Sequence, residues 1–501
     1  MTHDISPPPG TSNLWPQDIE QLTRLMHTVL ATVRTHGYRP AGSPLYEPVE
    51  LYTRLYGGDI RARLATFTTD REYALRPDLT GGLCRMVAQQ LGPDGHVVTP
   101  LRLAASGRAF RHERLRPLRR REFYQVGIER IGGSSPQGGD LEILSLLRLS
   151  LMACGVHGGL LRVGHAALRP HLLGTLGEDD TVRRRIDKLL DLLSRHRVAF
   201  EPPRTGVDRA LHGDTDRNAH PDTLHVLGET RRALLRVVPE APEFDHPDMA
   251  QAALEEHLHR ALQATDLTAS QREAFMGLTW VSASLGELID TIQAVVPDAE
   301  HRLGEALGHV DDCLSDLEPL TLRFSLGMAR GLGYYTGITF EVDAPVLGPD
   351  VCQVAGGGRY DDVVAALGGP AVPAAGFAIG VERLHSALCL MRGPKAVQLQ
   401  WAPPEPLLLC FSNQPDDQNY VAALAHRIKG EGASVAIHPE PVAEEEHSMF
   451  LTELQNLPGR PYRYVLLFQG GELQLAALDD DDGPQPTDLE TLLMMFTQPQ
   501  R

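Results

Sequence analysis

In the segment LRPDLT (75–80), Asp78 stands two positions before Thr80 at the end of a strand-like run. A carboxylate beside a hydroxyl can accept hydrogen bonds from an ammonium group. The competing reading is a helix cap, because both residue types also satisfy the free N–H groups of a helix start. A second segment, GRAFRHERLRPLRRREFYQVGIERIG (107–132), carries Arg111 and Glu113 on one strand-like stretch and Gln125 and Glu129 on the next. Between them Arg114, Arg116, Arg119, Arg120 and Arg121 fall within eight residues. Guanidinium groups offer planar, paired donors to phosphate, so two strands around such a loop can clamp a triphosphate; a solvated hairpin with a basic tip has the same pattern. Gln125 and Glu129 share strand parity, so both side chains face one side and can line one pocket.

Three later segments add to this set. In ARGLGYYTGITFEV (329–342), Arg330 could neutralise a carboxylate or an α-phosphate, and Tyr334 or Tyr335 could wall an aromatic ligand; core tyrosines on a strand are the plain alternative. In AGGGRYDDVVAALGG (355–369), three glycines would permit close backbone approach to a ligand, or simply form a tight turn before a helix. Their spacing is not that of a P-loop or a GxGxxG fingerprint. In AAGFAIGVERL (374–384), a glycine-punctuated strand leads into a helix starting near Glu382 and Arg383. Arg383 could stack on a nucleobase and reach a γ-phosphate, or make a salt bridge at the helix start.

Positioning these residues requires more than one core. The chain has 501 residues, which suggests two to four domains, with 42% hydrophobic and 22% charged residues in ordinary globular proportion. The net charge of -18 argues against general nucleic-acid affinity but not against a local basic surface. None of the six cysteines stands at CxxC spacing, which argues against a zinc site, and their scatter fits a reducing compartment. The polar, proline-rich start lacks the pattern of a signal peptide, and no run of about 18 apolar residues occurs, so a cytoplasmic protein without a membrane span is expected.

Along the chain, residues 1–13 read as a disordered tail and 17–37 as an amphipathic helix stopped by Gly37. Strand-like runs follow at 73–77, 100–106 and 123–131, then a helix from Asp140 to Cys154. Residues 167–320 are rich in Leu, Ala, Arg, His and Glu and read as a helical insertion. Strand signals return at 322–327 and 338–346, with a helix from about Gly380 to Met391. Prolines mark 393–405 as a linker, and from 406 to 501 the runs LLLCF, ASVAI and YVLLF alternate with a helix, which predicts a small α/β domain.

Taken in order, these segments resemble the class II aminoacyl-tRNA synthetases, and the histidyl-tRNA synthetase family in particular. FRHE with EFYQVGIE is similar to the second class motif, GFAIGVERL to the third, RGLGYYTG to the histidine-specific motif and GGGRYDDVV to the glycine-rich segment after it. The resemblance runs from about Trp15 to Met391 and more weakly to the end. It implies an α+β fold: a large antiparallel sheet flanked by helices, a catalytic core in two parts (14–166 and 321–392) around the helical insertion, and an anticodon-binding-like domain at the C-terminus. It also implies a homodimer formed through residues 36–60, and ATP with Mg²⁺, histidine and tRNA as partners. In the site it assigns Asp78 and Thr80 to the amino group of histidine, Gln125 to its polar end, Glu129 to the imidazole, and Tyr334 and Tyr335 to the aromatic wall. Arg111, Glu113, Arg121 and Arg383 become ATP contacts, with Arg111 on the α-phosphate. Arg330 and Arg111 become the catalytic pair that neutralises charge as the histidine carboxylate attacks the α-phosphorus.

Three positions depart from the family pattern: Asp78 where Glu is common, Gly333 where an acidic residue is usual, and Asn13 where Asp is common. The phrases EFYQVGIERIGG, GDLEILSLL and LRVGHAALRP also suit a non-catalytic paralogue, the histidine-sensing regulatory subunit of ATP phosphoribosyltransferase, whose partner would be that enzyme's catalytic subunit. The retained Arg111, Arg330 and Arg383 and a tail long enough for a whole domain favour the histidine-tRNA ligase.

Overall fold

The computed structural model describes residues 6–93, 95, 100–112, 118–133, 136–166, 168–200, 230–231, 234–235, 238, 243, 246–278, 285–295, 320–324, 334–347, 353–393, 407–411, 415–430, 435–437, 442–456, 464–469, 471–478 and 483–497. The chain forms two compact units, one of Met1–Ser12 with Arg24–Pro394 and one of Asn13–Thr23 with Lys395–Arg501.

The first unit is built on an eight-stranded sheet. Toward one edge lies the long hairpin of β5 (Leu101–Phe110) and β6 (Glu122–Ile131), in register from Leu101 opposite Ile131 to Phe110 opposite Glu122. From β6 the sheet continues antiparallel through β11 (Ala374–Gly380), β10 (Gln353–Arg359), β9 (Ile338–Asp343) and β7 (Gly159–His165). The edges depart from the expected antiparallel pattern: β1 (Arg39–Pro40) runs parallel to β5, and β8 (Leu320–Phe324) runs parallel to β7.

The glycine segment differs from its reading as a tight turn before a helix. Gly356, Gly357 and Gly358 lie inside β10, paired on both sides. The physical reason is crowding: a Cβ on Gly357 would stand 2.1 Å from the carbonyl oxygen of Gly376, and one on Gly358 would stand 2.9 Å from the ring of Tyr335. Only a strand without side chains there lets its neighbours and that ring lie against it.

Helices cover the sheet because their apolar stripes recur at helical spacing. Helix α1 (Pro16–Arg34) is followed by Gly37, whose φ of 85° is a left-handed turn that glycine adopts without penalty. Helix α2 (Val49–Tyr56) leaves a small three-stranded sheet of β2 (Tyr46–Pro48), β4 (Glu72–Leu75) and β3 (Thr66–Thr68). Helix α3 (Thr80–Leu91) follows β4, and α4 (Pro136–Ala153) follows β6. Buried Tyr52, Leu55, Tyr56, Cys84, Val87, Ile131, Tyr360 and Val364 join α2, α3 and the sheet into one core cluster. Arg130, on the opposite face of β6 from Glu129, pairs with Glu142 of α4 at 3.0 Å, and Tyr38 and Arg102 bond the same carboxylate. Asp140 forms a buried ion pair with Arg359, 2.7 Å to one nitrogen, with Nε donating to Oδ2 at 3.3 Å. Just before β6, Arg121 N–H donates to Gly10 O at 2.8 Å.

Within 167–320 the described residues are helical up to β8, with helices Leu168–Gly174, Asp180–Phe200, Pro247–Leu262, Ala269–Leu278 and Leu285–Val295. Ile186, Leu189 and Leu193 of one helix and Leu254, Leu258 and Leu262 of another are fully buried where the two pack.

The second unit holds a five-stranded sheet in the order β13 (Val435–Ile437), β12 (Leu407–Phe411), β14 (Tyr464–Gln469), β15 (Glu472–Ala477), β16 (Gln485–Thr487). β12 is parallel to both its neighbours, and the helix Pro415–Gly430 crosses over from β12. The expected linker residues 394–405 lie outside the described residues. Among the described residues no helix is long and apolar enough to cross a membrane.

Candidate functional site

The site begins with the register of β6 against β11. Glu129 stands opposite Gly376 and Gln125 opposite Gly380, so both polar side chains lie over strand positions that carry none. The shared parity read from sequence is realised, and both side chains are buried, at 4% and 7% exposure. Gly376 is required for this: a Cβ there would sit 2.2 Å from Glu129 Oε2. Tyr360, just beyond the end of β10, donates its hydroxyl to the same Oε2. Burial raises the Glu129 carboxyl well above its ordinary range; a hydrogen bond from Thr80 works against this and the charge of Asp78 adds to it. Thr80, the first residue of α3, is thereby brought to Glu129.

Asp78 lies in the loop between β4 and α3 and is 4% exposed. Its contacts within the protein are of two kinds. Gly81 N–H donates to Oδ1 at 3.3 Å, which is a capping contact, and the Tyr56 hydroxyl lies 2.8 Å from both Oδ1 and Oδ2. The LRPD segment is locked beside β5: Phe110 N–H donates to Arg76 O, and Arg111 Nε donates to Pro77 O, each at 2.9 Å. The guanidinium of Arg111 also lies 5.4 Å from the ring centre of Phe123.

Aromatic rings enclose this corner. Tyr334 lies 5.3 Å from Tyr56, 4.6 Å from Tyr335 and 5.4 Å from Tyr360, centre to centre. Burial first, then neighbouring negative and phenolic groups, raises the Tyr56 and Tyr334 hydroxyls well above the usual phenol range, so both keep their protons and remain donors. The expected alternative of core tyrosines thus describes their packing. Gln125 Oε1 is a buried acceptor without a partner among the described residues. Such a group calls for a polar ligand or a water.

Asp78, Thr80, Glu129, Tyr334 and Tyr335 thus come together, with Gln125 further along the same strand face. Arg111 joins them: its charge acts on the Tyr56 hydroxyl. Arg383 sits in the first turn of the helix Val381–Arg392, where its guanidinium donates to Gln353 O at 3.0 Å and to Leu118 O at 3.5 Å. Neighbouring Glu382 accepts from Tyr124 N–H with both oxygens at 3.0 Å, which ties this helix to β6. Arg121 lies at the start of β6, its carbonyl bonded to Arg111 N–H at 2.9 Å. Glu113 and Arg330 lie outside the described residues. Tyr56 and Tyr360 were not among the sequence candidates. Tyr360 carried a weak signal, as an aromatic immediately after the glycine strand; Tyr56 carried none, because it meets Asp78 only through the packing of α2.

Comparison with known proteins gives this arrangement a family. A family model described as histidyl-tRNA synthetase matches residues 10–212 and 247–384. A histidine–tRNA ligase of Archaeoglobus fulgidus is 28% identical over 397 residues, 78% of each chain. An ATP phosphoribosyltransferase regulatory subunit of Moorella thermoacetica is 32% identical over 382 residues, 75% of this chain and 80% of that one. The solved histidyl-tRNA synthetase of Nostoc sp. PCC 7120 superposes with a TM-score of 0.66 over 98% of each chain at 16% identity, a likeness of fold. The ordered motifs, the sheet they build and the family match over most of the chain agree: this chain belongs to the histidyl-tRNA synthetase family.

Proposed function

We propose that this protein is a histidine-tRNA ligase, binding histidine in the carboxylate–tyrosine corner and activating it with ATP. The observation that carries the reading is the pairing of two buried carboxylates, Asp78 and Glu129, with an unpartnered buried acceptor, Gln125 Oε1, inside a cage of tyrosines. Histidine supplies what each needs. Its ammonium suits Asp78 and Thr80, and its imidazole offers one donor and one acceptor to Glu129 and a tyrosine hydroxyl. An amino acid of similar shape without ring nitrogens would give Glu129 no ligand partner beyond its bonds from Tyr360 and Thr80, which is costly for a buried carboxyl.

Activation then needs charge neutralisation and positioning rather than a protein nucleophile. The histidine carboxylate attacks the α-phosphorus in line, the bond to the β-phosphate oxygen breaks, and pyrophosphate leaves. Arg111, held by Pro77 O and the face of Phe123, is assigned to the charge on the α-phosphate. Arg330 is assigned to the same charge, and Glu113, Arg121 and Arg383 to the nucleotide. Mg²⁺ would enter with the nucleotide, bound mainly by its phosphate oxygens. The adenylate would pass to the terminal ribose of tRNA, with residues 406–501 reading the anticodon end, in a homodimer.

A second reading, the histidine-sensing regulatory subunit, is favoured by the 32% identity to the Moorella relative of that name and by the engagement of Arg383 with backbone carbonyls. Histidine-dependent exchange of pyrophosphate into ATP separates the two. Exchange specific for histidine and lost in Arg330→Ala and Arg111→Ala supports the ligase. Histidine binding without exchange overturns it in favour of the regulator.

A further inference from the structure

The bond between Tyr56 and Asp78 reaches across the fold, from the last residue of α2 to the loop before α3. Its geometry is symmetrical, with the hydroxyl 2.8 Å from each carboxylate oxygen. A phenol has one proton, so the donation is shared, and each oxygen gives up one lone-pair direction to it. Gly81 N–H occupies a second direction on Oδ1 at 3.3 Å. Among the described residues Oδ2 therefore keeps the remaining direction. Tyr56 cannot drift: its ring is stacked on Tyr52 at 6.2 Å with planes 6° apart, and the ring of Tyr334 lies 5.3 Å away on another side. Three charged or titratable groups act on its hydroxyl besides Asp78 or across it: Tyr52 and Tyr334 as neutral phenols and Arg111 as a cation.

We propose that Tyr56 is the positioning residue for Asp78, fixing the carboxylate so that Oδ2 alone presents an open acceptor to the α-ammonium of the amino acid. This assignment rests on the histidine reading and adds to it a residue on α2 that sets recognition of the amino end without touching the ligand. A carboxylate freed of Tyr56 can rotate about its last bond, so its directed acceptor is lost while its charge remains.

The test is calorimetric titration of the full chain with histidine and with 3-(imidazol-4-yl)propanoate, which lacks only the amino group. In Tyr56→Phe, which keeps the stacked ring, histidine is expected to bind about tenfold more weakly, the scale of one hydrogen bond to a charged group. The propanoate is expected to bind unchanged. Equal weakening of both ligands would make Tyr56 a packing residue and overturn the assignment, as would unchanged affinity for both. A second variant keeps the test independent of fold damage. Asp78→Glu drives the carboxylate one methylene toward the Tyr56 hydroxyl, so it should weaken histidine binding more when Tyr56 is present than in the Tyr56→Phe background. Strictly additive effects contradict the proposal. Absence of histidine binding to the unmodified chain would overturn the histidine reading and this assignment together, whereas histidine binding with an unchanged preference in the variant overturns the assignment alone.

Discussion

Replacing Gly376 by alanine tests how the pocket is made. The added Cβ would lie 2.2 Å from Glu129 Oε2, 2.3 Å from Ile128 O and 2.7 Å from the Tyr360 hydroxyl. An ordinary contact begins near 3.4 Å, so the carboxylate must retreat by about 1.2 Å and the backbone of β6 must yield as well. Overpacking of this kind costs about 1–3 kcal/mol and should lower the melting temperature by several degrees. The effect on binding should be larger than the effect on stability suggests. Glu129 would lose both its bond from Tyr360 and its place opposite the imidazole, and one hydrogen bond to a charged group corresponds to about 10- to 100-fold in affinity. The control is Gly369→Ala, where a Cβ would meet Ala88 Cα and Val364 Cγ1 at 2.8 Å, away from the carboxylates. Thermal unfolding and histidine calorimetry on both variants give the answer. Similar losses of stability, with affinity lost only in Gly376→Ala, are expected. If Gly376→Ala binds histidine as tightly as the unmodified chain, Glu129 is not placed by this strand pairing and the reasoning fails.

Glu129 should also leave a mark on the pH dependence of stability. Burial holds its carboxyl well above the ordinary range, so the folded chain keeps the proton to higher pH than the unfolded chain does. The linked stability is fully present below the unfolded value of about 4.3 and falls as pH rises from there toward the raised folded value. Glu129→Gln should flatten that decline in denaturant titrations of the ligand-free protein, while abolishing the preference for histidine; an unchanged slope would contradict the burial argument. Asp140→Asn removes the nearer carboxylate of the buried pair with Arg359, whose guanidinium then faces Asp361 Oδ1 at the longer 3.4 Å. It should cost about 3–5 kcal/mol in urea unfolding, and a change below about 1 kcal/mol would show the pair to be dispensable.

Much of this site was legible because its signals are local and periodic. Glu129 and Gln125 share a face for the reason strands always alternate, and Gly376 and Gly380 answer them at the same spacing because β11 runs antiparallel to β6. The strand LLLCF and the hairpin around the basic loop were equally plain. What sequence obscured was set by neighbours. Three consecutive glycines read locally as a turn, yet in β10 they are the positions where Tyr335, Phe340 and the backbone of β11 come closest. Asp78 was weighed as a cap or a ligand group, and packing made it a cap toward Gly81 and an acceptor toward Tyr56 at once. Tyr56 had no local signal, since it lies 22 positions before Asp78 on another helix. Arg383 was weighed as a phosphate contact or a helix-start salt bridge, and its bonds to the carbonyls of Gln353 and Leu118 come from strands and loops far from it in sequence.

The central claim is that two buried carboxylates and their tyrosines form a pocket selective for histidine. Titration of the purified full chain with histidine and, separately, with phenylalanine tests it most directly. Phenylalanine keeps the ring and the amino-acid end but offers no ring nitrogens to Glu129, so histidine should bind at least about 100-fold more tightly, as sites built to pair a polar group reject an analogue lacking it. Comparable binding of the two amino acids, or no binding of histidine at all, would contradict the account.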